Sequence, residues 1–165
     1  MDYFKNKTGE GSEGQDLNFD FIPEIKIVYV PNIELSKRPR IYSSEQVVKI
    51  LENKYDPQTI QLFESFKVIL LNPSNRILGI YSVSQGAIET VAVKPRLLFG
   101  TALKAGATSM ILSHSHPTEE VYPSPNDIKS TKAIKATARL LGITLIDHII
   151  ISAEAHFSFR ENNLI

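Results

Sequence analysis

The sequence contains no cysteine. That absence excludes disulfides, thiolate nucleophiles, iron–sulfur clusters and thiolate zinc sites together. Any metal must be held by the four histidines and the carboxylates. Net charge is missing too, because eighteen basic and eighteen acidic side chains cancel. No overall field therefore draws the chain to nucleic acid or to an anionic membrane. No apolar run approaches the ~20 residues that span a bilayer. The opening stretch, MDYFKNKTGEGSEGQDLNFD, lacks the apolar segment of a secretory signal. The expected setting is cytoplasmic, with no membrane partner. At 165 residues the chain falls short of a complete (β/α)₈ barrel of about 250. It suffices for one domain that buries roughly 70% of its unfolded surface.

Residues 1–18 are rich in Gly, Ser, Lys and Glu and read as a disordered tail. Residues 19–40 read as an N-terminal strand, FIPEIKIVYVP, and a polar connector, NIELSKRPR. The main domain is expected over 41–165. Ser43 followed by Gln46 forms a capping-box pattern before Val47, Val48, Ile50 and Leu51, which predicts a helix. FKVILL, RILGIYSVS and AIETVAVK are strand-like, separated by turn signals at Asn72-Pro73-Ser74-Asn75 and at Gln85-Gly86. Pro95 suits the first turn of a helix that runs to Gly106. TSMILSH is continuously apolar, as in a strand covered on both faces. A long helix is predicted over about Pro125–Leu141, with Ile128, Ile134, Ala138 and Leu141 inward, before Gly142 and the strands ITLIDHIIIS and AHFSFR. The class is α/β, a mixed sheet with helices on both sides.

The chemistry concentrates in Ser113-His114-Ser115-His116-Pro117 and Ser124-Pro125-Asn126-Asp127. Alternate residues of a strand share one face, so His114 and His116 can aim two imidazoles at one point. Ten residues separate His116 from Asp127, enough for a loop to return the carboxylate to that point. Two imidazoles and a carboxylate suit zinc with a fourth position open to water. Ser124, Pro125 and Asp127 would equally form a well-capped helix start. A hydrolytic site also needs a base outside the donor set; Glu64, Glu89, Glu119 and Glu120 are the candidates.

The run His114-Ser115-His116-Pro117, six residues, Ser124, two residues, Asp127 is similar to the HxHP…SxxD signature of the JAMM (MPN+) metallopeptidases. LLNPSNRILG, VKPRLLFGTALKAGATSMILSHSHP and DIKSTKAIKATARLLGITLIDHIIIS resemble the RadC-like branch, and the likeness covers about residues 40–165. The resemblance implies a JAB/MPN α-β-α sandwich, related in shape to the cytidine deaminases. It implies Zn²⁺ on His114, His116 and Asp127, with Glu64 as general base. Ser124 matches the motif serine that helps hold an oxyanion. The implied activity is a metallopeptidase acting on a peptide or isopeptide bond. A loop reading HSHPTEEVYPS where that branch usually reads HNHPSG alters charge and stiffness over the site. Members of the branch also carry an N-terminal helix-hairpin-helix region, in whose place this chain has its tail and a strand–helix segment.

A second reading is a binding module, for DNA or protein, with a structural or vestigial metal. The family's DNA-repair label and a basic stripe of Lys129, Lys132, Lys135 and Arg139 motivate it. The commoner meaning of such a stripe is the solvated face of a helix. Arg96, after the proline of a helix start, could meet an anion. Asp147 and His148 point to opposite sides of their strand, with His148 read as a hydrogen-bonded structural residue, and His156 as an ordinary strand residue. Free strand edges are compatible with a homodimer.

Overall fold

The computed structural model describes residues 29–87 and 93–165. Its elements are α1 (Ser44–Glu52), β1 (Glu64–Leu71), β2 (Ile77–Ala87), α2 (Pro95–Lys104), β3 (Ser109–Ser115), α3 (Pro125–Leu140), β4 (Thr144–Ile151) and β5 (His156–Ser158). The strands form one sheet in the order β2-β1-β3-β4-β5. β1 runs antiparallel to β2 and β3, β3 parallel to β4, and β4 antiparallel to β5. The parallel pair is joined through α3, as a parallel connection requires.

Alternation along the strands divides the core in two. Phe66, Val68 and Leu70 of β1 and Met110 and Leu112 of β3 pack with Leu98 and Ala102 of α2 and Ile134 and Ala138 of α3. On the other face Ile69, Leu71, Ile111, Ile149 and Ile151 meet Val47, Val48 and Leu51 of α1. The architecture is therefore an α-β-α sandwich, with each fully buried aliphatic side chain contributing about 1.5–3 kcal/mol. Every residue of β3 is buried, as its continuous apolar content predicts.

Local signals explain where the helices start and stop. Ser43 accepts the Gln46 N–H at 3.4 Å, while Gln46 Oε1 reaches back to the Tyr42 N–H at 2.8 Å, one residue earlier than a capping box. Gly106 and Gly142 take φ of 65° and 70° after α2 and α3, the left-handed step that glycine allows. Ala107 and Ile143 then donate to Ala102 O and Ala138 O, closing both ends in the Schellman manner.

Three expectations are corrected. The turn at Gln85-Gly86 does not exist, because β2 runs unbroken to Ala87. Glu64 pairs with Ala87 and Ser65 with Gln85, so Gly86 is the extra residue of a bulge. The strand read from AHFSFR is confined to His156–Ser158: Phe159 N–H still donates to His148 O, but the chain then turns, with Asn162 N–H donating to Ser158 O and Leu164 N–H to Phe159 O. Leu141 caps α3 and is exposed rather than buried; Thr131 takes an inward position instead. The strand expected over 21–31 falls largely outside the described residues, and 29–31 are not in a strand. The connector carries a short 3-10 turn at Leu35–Lys37.

Candidate metal centre

His114 is the second-last residue of β3, and His116 follows just past its end. Even-numbered β3 residues face α3, so both imidazoles project to that side. Odd-numbered Ser113 and Ser115 face away and are tied down. Tyr55 OH donates to Ser113 Oγ at 3.0 Å, and Ser65 N–H donates to Ser115 Oγ at 3.0 Å. His116 N–H continues the ladder onto Ile151 O at 2.9 Å. The strand end is thereby held against both neighbours just where it presents the histidines.

Asp127 arrives from the N-terminus of α3. Ser124 and Asp127 form a complete capping box. Asp127 N–H donates to Ser124 Oγ at 3.2 Å, and Asp127 Oδ2 accepts from Ser124 N–H at 2.8 Å and Ser124 Oγ–H at 2.6 Å. The helix start and the site carboxylate are therefore the same device, and the helix dipole favours the negative charge there.

The three side chains converge. His114 Nε2 and His116 Nε2 lie 3.0 Å apart, with Asp127 oxygens 3.5 Å from the first and 3.9 Å from the second. Zinc at its usual 2.0–2.1 Å from such ligands would separate them by about 3.3 Å in a tetrahedron. Side-chain exposure rises from 3% at His114 to 14% at His116 and 21% at Asp127, which leaves one side open. Among the described residues this is the one group of three or more His, Asp or Glu side chains spaced to hold a metal ion. The nitrogen, nitrogen, oxygen set fits zinc or a similar divalent cation.

Polar contacts continue behind the donors. His116 Nδ1–H donates to the Glu120 carbonyl oxygen at 2.8 Å. His114 Nδ1 lies 2.9 Å from His148 Nε2, and His148 Nδ1 lies 2.6 Å from Thr131 Oγ1. Burial pushes His114 down to about 4, with the Asp127 carboxylate opposing and His116 adding to the effect. Burial, then His114 and His116, holds His148 well below the ordinary histidine range. Both rings are neutral near pH 7, the form a cation needs in a donor.

Glu64 opens β1 and is half-buried. It lines a cavity of about 20 Å³ together with His114, Asp127 and His148, room for one water. A cavity of about 670 Å³ lies against α1 and β2, and none of the three converging side chains lines it. Donor chemistry, rather than volume, marks the site. Of the other candidate bases, Glu119 and Glu120 are exposed on the loop after His116, and Glu89 lies outside the described residues. His156 is exposed on β5, and Arg96 is exposed on α2.

A family model described as the RadC-like JAB domain matches residues 41–164. The chain belongs to that family. Among curated relatives, this RadC-like JAB domain is 34% identical over 167 residues to a UPF0758 protein of Flavobacterium johnsoniae, covering 96% of this chain and 72% of that one. It is 43% identical over 101 residues to a UPF0758 protein of Trichodesmium erythraeum, covering 61% of this chain and 42% of the relative. A UPF0758 protein of Aquifex aeolicus is 34% identical over 140 residues, with 81% of this chain and 59% of the relative covered. The chain thus spans well under two thirds of some relatives it matches. No activity is stated in those names. Among the described residues, no helix is long and apolar enough to cross a membrane.

His148 and Thr131 are the members of the site that sequence reasoning did not assign to it. His148 was legible as a hydrogen-bonded structural histidine on the side of its strand opposite to Asp147. Nothing in its distance along the chain from His114 indicated their contact.

Proposed function

We propose that this RadC-like JAB domain is a zinc-dependent hydrolase of the JAMM type, cleaving a peptide or isopeptide bond. The observation that carries the reading is the convergence of His114, His116 and Asp127 at near-tetrahedral spacing beside the small cavity lined by Glu64. Zinc, when bound there, would polarise the carbonyl and make water acidic enough to attack near neutral pH. Glu64 accepts the proton of the attacking water and returns it to the departing nitrogen. His114 and His116 act as neutral donors, and Asp127 brings the carboxylate. Ser124 stabilises the oxyanion of the substrate carbonyl by turning its hydroxyl away from Asp127 Oδ2.

The test combines metal analysis with cleavage of a pool of reporter peptides, some linked through an α-amine and some through a lysine ε-amine. The zinc-loaded wild type should cleave one class of reporter. Glu64→Gln should retain the metal and lose about 10²–10⁴-fold in rate. Full activity in zinc-loaded Glu64→Gln, or a zinc-loaded wild type inert on both classes, would defeat the proposal.

One observation favours the second reading. Lys129, Lys132, Lys135 and Arg139 are all exposed along α3. If they follow a phosphate backbone, single-stranded or branched DNA binds at low salt and is released steeply as salt rises. No binding at low salt removes that reading.

A further inference from the structure

His148 is fully buried on β4, and its ring contributes none of the three converging atoms. Thr131, one turn into α3 beyond Asp127, is buried as well. Two polar side chains in an apolar core are costly unless they are fully hydrogen-bonded. Valine and phenylalanine would fill similar space without that cost, so packing alone does not account for the pair.

The directions of their hydrogen bonds are forced from one end. The Asp127 carbonyl oxygen can only accept, and Thr131 Oγ1 stands 2.6 Å from it. Thr131 therefore gives its single hydroxyl proton to Asp127. Towards His148 Nδ1, at 2.6 Å, the same hydroxyl can then only accept, so His148 carries its proton on Nδ1. A neutral imidazole has one N–H and one lone pair, which leaves His148 Nε2 bare. His114 Nδ1, 2.9 Å away, must donate to it. The lone pair of His114 is thereby assigned to Nε2, the atom facing His116 and Asp127.

Ring packing holds this order in place. Phe66 stacks on His114 with planes 6° apart, and Phe159 stacks on His148 with ring centres 4.7 Å apart. Phe159 N–H also donates to His148 O at 2.9 Å. The chain of bonds starts on the backbone of Asp127 and ends on the imidazole that meets the side chain of Asp127, so it closes on itself.

We propose that Thr131 and His148 are positioning residues that lock His114 in its Nδ1–H tautomer, keeping its Nε2 lone pair free for a divalent cation. The proposal rests on the donor reading of His114 and not on amide hydrolysis. Outer-shell partners of this kind commonly change metal affinity by 10–100-fold. Thr131 and His148 touch the donor, not the substrate.

The experiment uses the full chain labelled with ¹⁵N and freed of metal. Long-range ¹H–¹⁵N correlation spectra report which nitrogen of each histidine carries the proton. In the wild type His114 and His148 should both be protonated on Nδ1. Thr131→Val keeps the volume and removes the acceptor, so both rings should shift towards Nε2–H. Zinc affinity, measured by chelator competition, should fall about 10–100-fold, while Thr131→Ser restores it to within about threefold. The proposal is overturned if wild-type His114 carries its proton on Nε2. It is equally overturned if folded Thr131→Val matches Thr131→Ser in tautomers and zinc affinity. The wild-type spectrum decides the tautomer even if Thr131→Val fails to fold. A wild type that binds no zinc but shows both Nδ1 protons would remove the metal reading and keep the bond order.

Discussion

The ring of His116 is fixed by the backbone of Glu120, whose carbonyl oxygen accepts the Nδ1 proton at 2.8 Å. The carboxylates of Glu119 and Glu120 extend from the same loop into solvent, with no hydrogen bond to the donors. Support of the second histidine therefore comes from the path of the loop rather than from its acidic side chains. Glu120→Ala and Glu119→Ala should retain the full zinc content of the wild type by mass spectrometry. Loss of metal in Glu120→Ala would show that the carboxylate itself takes part.

Asp127 has two duties that separate by substitution. Asp127→Asn keeps an oxygen able to accept from the Ser124 N–H but removes the charge that the cation needs. It should lose zinc while changing stability by less than about 1 kcal/mol. Asp127→Ala loses the capping interaction also, at about 0.5–2 kcal/mol. Metal content and denaturant midpoints of the two variants together check this division.

Acid should act on the metal-free protein through the buried histidines. His114 has a folded value of about 4 against an unfolded value of about 6.5. The unfolded chain therefore takes up the proton first, and stability falls as pH drops from about 6.5 towards 4. Asp147 works in the opposite sense, because burial raises its carboxyl above 3.8; it gains stability from its folded value downwards. From about pH 7 to 5, His114 alone should remove about 2 kcal/mol. Urea unfolding of the chelator-treated chain at the two pH values measures it, and equal stability at both would refute the expectation.

Tyr55 and Ser113 make an asymmetric pair. The phenol is buried, and its hydroxyl donates to Ser113 Oγ at 3.0 Å. Burial also raises the Tyr55 hydroxyl, which stays protonated throughout. Ser113→Ala would leave that donor unpaired and cost about 1–3 kcal/mol, against about 0.5–1.5 for a typical net hydrogen bond lost in Tyr55→Phe. The double variant should be less destabilised than the sum of the two. An additive double-mutant cycle would mean that the two hydroxyls do not interact.

The parts of this structure that were readable from sequence are those governed by short-range rules. The spacing of His114 and His116, the capping box of Ser124 and Asp127, and the glycines after α2 and α3 each follow from local geometry. The converging triad was legible because β3 and α3 are consecutive, joined by one loop. Gln85-Gly86 misled because a bulge and a turn both call for a glycine between apolar runs, and only pairing with β1 distinguishes them. Leu141 misled because its apolar side chain falls where α3 has already ended. The contact of His148 with His114 depends on strand pairing across the crossover, with His114 opposite Ile150 in the register. That register is a tertiary property, and no short window contains it.

Glu64 sits next to Ser65, whose N–H and hydroxyl both meet Ser115 Oγ, and Ser115 lies between the two histidines. Glu64 and the two converging histidines thus stand at the ends of neighbouring strands riveted at one point, over two apolar cores that involve no metal. Folding and loading become separate events in such a design. A cation would enter a finished socket, and a chelator would empty it without dismantling the walls, unlike small zinc modules whose chains collapse when stripped. On the proposed hydrolase reading, the loop after His116 is then free to be remodelled for a different substrate while the socket beneath keeps its dimensions.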